Sequence, residues 1–296
     1  MPQARANGIQ LEYDSFGRAS DAPLLLIMGL GAQMVLWDEE FCELLAQRGH
    51  YVVRFDNRDV GLSTKFDHKG VPNVVAMMQR GADRSSAPYT LDDMADDAAG
   101  LLDALRVESA HIVGASMGGM IAQTVAYRHA KKTRSLVSIM SSTGNPELPQ
   151  AKPEAMAVLM TPRPPDRASN VEAAVLAARV IGSPAYPADP ARTRQRAGMM
   201  FDRAFTPLGT VRQMAAIFAH GNRAPRLAAV TAPTLVIHGV ADPLVPVEGG
   251  RDTAKSIPGA QLLEIEGMGH DLPPGLWTRI ADAIAAHTKK AEAARR

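Results

Sequence analysis

Gly114-Ala115-Ser116-Met117-Gly118-Gly119 follows the apolar run Ala110–Val113 and precedes a helical pattern. That is the strand–turn–helix setting in which a G-x-S-x-G turn exposes a serine. Small residues on both sides of Ser116 let the chain turn sharply. The hydroxyl then stands over a helix N-terminus whose dipole favours developing negative charge. Read alone, the segment also suits a plain helix start, with Ser116 as the cap and the glycines there for close packing. Two further residues turn the reading toward chemistry. A hydroxyl becomes a nucleophile only when a base takes its proton, and the base needs an acid to orient it. Asp242 stands just past the run Thr234–His238, at a strand's carboxyl end, where open α/β sheets place their sites. His270, in Gly267-Met268-Gly269-His270, stands just past the run Gln261–Ile265. Ser116, Asp242 and His270 supply the nucleophile, orienting acid and base of acyl transfer. Glu147, after the run Leu136–Met140, is the alternative acid.

Acyl transfer also needs preset donors for the oxyanion of its tetrahedral intermediate. The N–H of Met117, next after the serine, is one. The other is expected from Leu30 in Met28-Gly29-Leu30-Gly31, where the flanking glycines let the backbone approach a ligand. An ordinary strand-to-helix turn would carry such glycines too. Among the other histidines, His238 is expected to face the core or support the Asp242 loop. His111 and His129 flank the strand and helix around Ser116. His50, His68, His220 and His287 are expected in surface turns or at helix ends, with His220 the one that a lid could lower toward the pocket. None has metal-ligand spacing to other His, Cys or carboxylate residues, so neither a metal nor a cofactor is expected. The single cysteine, Cys42, cannot form an internal disulfide and reads as a small buried apolar residue.

Positioning these residues takes a sheet. Six short apolar runs, Ala22–Met28, Tyr51–Phe55, Ala110–Val113, Leu136–Met140, Thr234–His238 and Gln261–Ile265, are bounded by Gly, Pro, Asp or Ser. Such continuous runs predict strands buried on both faces, hence a parallel sheet covered by helices. Helical patterns alternate with them at Leu91–Leu105, capped by Thr90, at Gly118–His129 and at Leu276–His287. Residues 144–226 break the rhythm: they hold more than half of the 21 prolines and no buried-strand run, yet include helical stretches at Val171–Val180 and Val211–Ala219. This predicts a helical insertion, or lid, between two strands. The tail after His287 is polar and expected to fray.

With 296 residues, 46% of them apolar, the chain can bury a large core without a disulfide or metal. Its 32 basic and 31 acidic residues lack the basic excess of a nucleic-acid protein. No apolar run reaches the roughly eighteen residues needed to span a membrane. The N-terminus lacks a signal-like apolar stretch. A cytoplasmic protein, monomer or homodimer, with neither nucleic-acid nor membrane partners, is the expectation.

The stretches LLLIMGLGAQMVLW, VVRFDNRDVGLSTKFD, GASMGGMIAQ, APTLVIHGVADPLVP and EIEGMGHDLP resemble the α/β-hydrolase superfamily, in particular capped esterases akin to bacterial carboxylesterases and aclacinomycin methylesterases. The triad order Ser, Asp, His is that superfamily's order. The resemblance implies a mostly parallel eight-stranded sheet flanked by helices, with a helical cap inserted after the sixth strand. It divides the chain into a core of residues 1–143 and 227–296 and a cap of 144–226. It also implies that Asp56 and Arg58 are structural. Many relatives carry His-Gly before the oxyanion residue; here the pair is Met28-Gly29, which removes a side chain that often orders this loop. The expected activity is hydrolysis of carboxylic esters, with short-to-medium acyl or small aromatic groups, through an acyl-enzyme. The expected pocket includes Gly29 and the cap residues Met199, Phe205, Met214 and Phe218. Carbon–carbon bond hydrolases, perhydrolases, acyltransferases and slow-turnover ligand receptors share the serine constellation and stay open, because fold does not fix function.

Overall fold

The computed structural model describes residues 2–79 and 81–295. Among them eight strands form one sheet: β1 (Gln3–Ala6), β2 (Ile9–Phe16), β3 (Ala22–Ile27), β4 (His50–Phe55), β5 (Ala110–Ala115), β6 (Thr133–Ile139), β7 (Thr234–Gly239) and β8 (Gln261–Ile265). Their spatial order is β1-β2-β4-β3-β5-β6-β7-β8. The β1–β2 hairpin and the β2–β4 pairing are antiparallel, and every later pairing is parallel. The six apolar runs are the six parallel strands. The reason is visible along β3, where successive side chains point to opposite faces. Leu25 and Ile27 pack with α3 (Leu91–Ala104) and α4 (Met117–Arg128). Leu24 and Leu26 pack with α1 (Glu39–Gln47) and α11 (Trp277–Ala293). Each of these four side chains is buried, stabilising the fold by about 2 kcal/mol apiece.

The remaining helices are α2 (Val74–Met77), α10 (Val247–Ser256) and five between β6 and β7: α5 (Pro153–Met160), α6 (Arg167–Ile181), α7 (Pro190–Arg203), α8 (Pro207–His220) and α9 (Ala224–Leu227). The insertion's prolines punctuate it. Pro153, Pro190, Pro207 and Pro225 stand in the first turns of α5, α7, α8 and α9, where a missing N–H costs no bond. Ion pairs fasten the insertion to the body. Arg203 pairs with Asp56 at 2.7 Å, and Arg212 with buried Asp59 at 2.8 and 2.9 Å. Asp56 also accepts the N–H groups of Met34 and Leu62, and Arg58 makes a buried two-pronged pair with Asp97 at 2.6 and 2.7 Å.

Three expectations need correction. The chain past His287 is not frayed: α11 continues to Ala293, because Thr288 and Ala291 face inward and Glu292 pairs with Arg134 at 3.1 Å. His50 and His287 are not surface residues. His50 is buried between the Leu45 carbonyl and the Thr288 hydroxyl, and His287 is buried against the Pro233 carbonyl. His220 is not lowered toward a pocket. It is buried against the Tyr127 hydroxyl at 3.0 Å, and burial beside Arg223 and Arg226 pulls its pKa down to about 3. Cys42 is buried, and burial pushes its thiol up to about 12, which keeps it protonated and unreactive. Among the described residues, no helix is long and apolar enough to cross a membrane, and no group of three or more His, Cys, Asp or Glu is placed to hold a metal ion.

Candidate active site

Strand pairing puts two loops side by side. Ile27 of β3 pairs with Gly114 of β5, so the turns after both strands emerge together at the carboxyl edge of the sheet. After β5 the chain turns at Ser116, which has φ 57° and ψ −122°, a costly conformation for a residue with a side chain. Close packing makes the turn possible. A Cβ on Gly114 would lie 2.0 Å from the Gly118 carbonyl oxygen, and one on Gly118 would lie 2.0 Å from that of Ile27. Ser116 N–H donates to the Ile139 carbonyl at 2.9 Å, fixing the turn to β6.

The loops after β7 and β8 are likewise stitched together. Ala241 N–H donates to the Met268 carbonyl at 3.0 Å, and Val240 N–H to that of Ile265 at 3.0 Å. This brings Asp242 and His270 into contact, with His270 Nδ1 2.7 Å from Asp242 Oδ2. The other carboxylate oxygen accepts the Leu244 and Val245 N–H groups at 2.9 and 2.8 Å. A carboxylate only accepts, so Nδ1 carries a proton, and in a neutral imidazole Nε2 then offers its lone pair. Nε2 lies 2.9 Å from Ser116 Oγ. The three residues singled out in the sequence thus form one continuous chain of hydrogen bonds. Glu147 is exposed, and its loop is not part of that chain.

His238 lies behind the acid. Its Nε2 donates to the Val245 carbonyl at 2.8 Å and stands 3.6 Å from Asp242 Oδ2, too far for a hydrogen bond. Burial holds its pKa below the usual value, so a neutral imidazole supports the turn that carries Asp242.

The segment Met28–Gly31 faces Ser116. A Cβ on Gly29 would come 3.1 Å from Ser116 Cβ and 3.5 Å from its Oγ. Leu30 follows Gly29 in this segment, and Met117 follows Ser116. As the first residue of α4, Met117 has no intrahelical acceptor for its N–H. Of the insertion residues named from the sequence, Met214 is buried on α8, and Phe205 and Phe218 are half-buried. Phe205 stacks on Phe201 with centroids 5.1 Å apart. Met199, on α7, is 45% exposed, roughly opposite buried Ala197.

Several residues that hold this site drew no attention in the sequence. Gln33 donates to the Met200 and Ala204 carbonyls, both at 2.8 Å. Gln213 bonds Gly31, and Ser183 accepts the Gly269 N–H at 2.9 Å. All three are buried polar residues. Their polarity reads as surface, and only the tertiary contacts reveal the inward orientation.

Comparison with known proteins gives this arrangement a family. Residues 22–273 match the family model described as the alpha/beta hydrolase fold. The chain is similar to rhodomycin D methylesterase DauP of Streptomyces sp. (strain C5), being 31% identical over 303 aligned positions that cover 96% of each chain. In fold it is similar to the meta-cleavage product hydrolase of Pseudomonas fluorescens IP01, with a TM-score of 0.76 at 18% identity over 98% of each chain. The esterase RhEst1 of Rhodococcus sp. ECU1013 gives 0.74 at 20% identity, also over 98% of each. At those identities the structural likeness speaks for fold alone. The family match spans most of the chain and contains the whole hydrogen-bonded chain from Ser116 to Asp242, so the protein belongs to the alpha/beta hydrolase family.

Proposed function

We propose that the protein is a serine esterase. Ser116 Oγ attacks the ester carbonyl carbon while its proton passes to His270 Nε2. Asp242 holds the imidazole in the tautomer that accepts this proton and stabilises the cation that forms. The carbonyl electrons move onto oxygen, which the N–H groups of Leu30 and Met117 receive. Collapse expels the alkoxide, protonated by His270, and leaves an acyl-serine. Water, deprotonated by His270, attacks that acyl group and releases the acid with the free serine. The observation that carries this reading is the pair of contacts at 2.9 and 2.7 Å through one imidazole, ending on a serine at φ 57°. The likeness to a methylesterase over nearly the whole chain supports an ester as the substrate.

Residues 144–226 serve in this proposal as the cap, over a core of 1–143 and 227–296. Gly29, Met199, Phe205, Met214 and Phe218 would border an apolar pocket for the acyl or alcohol group. The test is hydrolysis of p-nitrophenyl esters from acetate to laurate, with Ser116→Ala in parallel. Multiple turnovers that fall at least about a thousandfold in Ser116→Ala support the reading. Turnover undiminished in that variant, or no ester hydrolysis at all, would reject it.

A further inference from the structure

The peptide that carries the Leu30 N–H lies between two peptides held by buried side-chain amides. On one side, the Met28 carbonyl oxygen accepts from Asn57 Nδ2 at 2.9 Å. On the other, the Gly31 N–H donates to Gln213 Oε1 at 2.8 Å. Gln213 Nε2 in turn donates to the Arg58 carbonyl at 2.7 Å. The partners fix the orientation of this amide, because the Gly31 N–H can only donate and the Arg58 carbonyl can only accept. Gln213 is fully buried, and it stands on α8 of the insertion, outside the sheet. Its helix is a firm base. Arg212 grips Asp59, and Gly209 packs so closely that a Cβ there would lie 2.0 Å from the Asp59 carbonyl oxygen.

We propose that Gln213 is a positioning residue for the oxyanion donor. A Gly-Leu-Gly loop has glycine on both sides of the donor, and glycine accepts either sign of φ, so an unheld peptide can flip. A flip turns the Leu30 N–H away from the intermediate and brings a carbonyl toward it. The Ala32 N–H bonds the Gly29 carbonyl of the central peptide at 3.2 Å, and Asn57 and Gln213 clamp the peptides on either side, so that together they hold one orientation. The Met28-Gly29 pair supplies no side-chain donor for this purpose, and Gln213 supplies the missing hold from the opposite side. The inference rests on the serine-esterase reading, in which the Leu30 N–H binds the oxyanion.

The test compares Gln213→Met and Gln213→Glu with the intact protein and Ser116→Ala, on p-nitrophenyl butyrate, with active sites counted by phosphonate titration. Methionine keeps the length and shape but makes neither bond. Its kcat per titrated site is expected to fall about ten- to hundredfold, less than loss of a donor itself, with KM within about twofold. A buried glutamic acid stays protonated and can both accept and donate, so Gln213→Glu is expected to keep most of the activity at about pH 6. It should then lose activity above about pH 8, where the intact protein does not, as its carboxyl ionises. Gln213→Met with an unchanged kcat overturns the inference. Should that variant not fold, Gln213→Glu decides: an extra alkaline loss supports the role, and a profile parallel to that of the intact protein overturns it. If Ser116→Ala is inactive while Gln213→Met is fully active, only this inference fails. If Ser116→Ala keeps its turnover, the esterase reading fails and takes this inference with it.

Discussion

The N–H of His270 donates to the carbonyl oxygen of Ile181 at 2.7 Å, bonding the loop that carries the imidazole to the C-terminal end of α6. The helical insertion is therefore more than a cover. Its α6–α7 connection grips the His270 loop, and its α8 grips the Met28–Gly31 loop. An insertion bonded to both cannot swing as a rigid lid without disturbing them. The chain leaving α8 is tied to the chain leaving β6 as well, because Arg223, wholly buried, donates to the Ser142 carbonyl at 2.7 Å and to that of Gly221 at 3.3 Å.

Ser183 is the joint of the first grip. Its hydroxyl oxygen accepts the Gly269 N–H and its proton goes to Asp271 Oδ1. Burial already pushes the Asp271 carboxyl above its usual range. Ser183→Ala strands both partners, each at about 1–3 kcal/mol. The expected result is a lower Tm and a kcat reduced about tenfold, with KM little changed. Steady-state kinetics beside a thermal melt check this, and a kcat equal to that of the intact protein would contradict it.

The acid is tested by Asp242→Asn. The amide keeps the shape but offers an N–H where the imidazole Nδ1–H needs an acceptor, which favours the wrong tautomer. A loss in kcat of about a thousandfold or more is expected. A loss below tenfold, with Glu147→Gln inactive instead, would move the acid to the loop after β6.

Acid should unfold the protein through its histidines. His50, His111, His220, His238 and His287 are buried, and burial lowers the pKa of each from 6.5, to about 3 for His111 and His220. A folded pKa below the unfolded one means that the unfolded chain binds more protons. The stability is therefore complete above pH 6.5 and is lost as the pH falls toward the folded values. By pH 5, His111 and His220 should each have forfeited on the order of 2 kcal/mol. The buried carboxyls of Asp97 and Asp271, pushed up by burial, act in the opposite sense. Urea midpoints at pH 8 and pH 5 check the sign, and a midpoint unchanged or higher at pH 5 would refute it.

The legibility of this fold follows from burial. Five strands were readable because helices cover both faces of the parallel sheet, which leaves runs such as APLLLI without a polar residue; the sixth, β8, is an edge strand of which only Ile265 is buried, contrary to the expected burial on both faces, and its Leu-Leu-x-Ile pattern alone marked it. The β1–β2 hairpin was not, because β2 lies toward the edge and carries Gln10, Glu12, Asp14 and Ser15. Its turn, Asn7-Gly8 at φ 48° and 80°, was the available signal. Ser116 and Asp242 were readable because each comes soon after a buried strand, and His270 because Gly267-Met268-Gly269-His270 closely follows the run Gln261–Ile265. Gln213 and Ser183 act through partners far away in sequence, Gly31 and Gly269. A glutamine in VRQMAAIF reads as a polar-face residue until the helix is docked, and no local spacing marks it otherwise.

The most direct test of the account is where a fluorophosphonate attaches. Intact-mass and peptide analysis should find one adduct, on Ser116, formed with loss of fluoride. It should be absent in Ser116→Ala and strongly slowed in His270→Ala, with ester turnover falling in step. No adduct on Ser116, or turnover that survives its complete labelling, would contradict the proposal that this serine carries the acyl group.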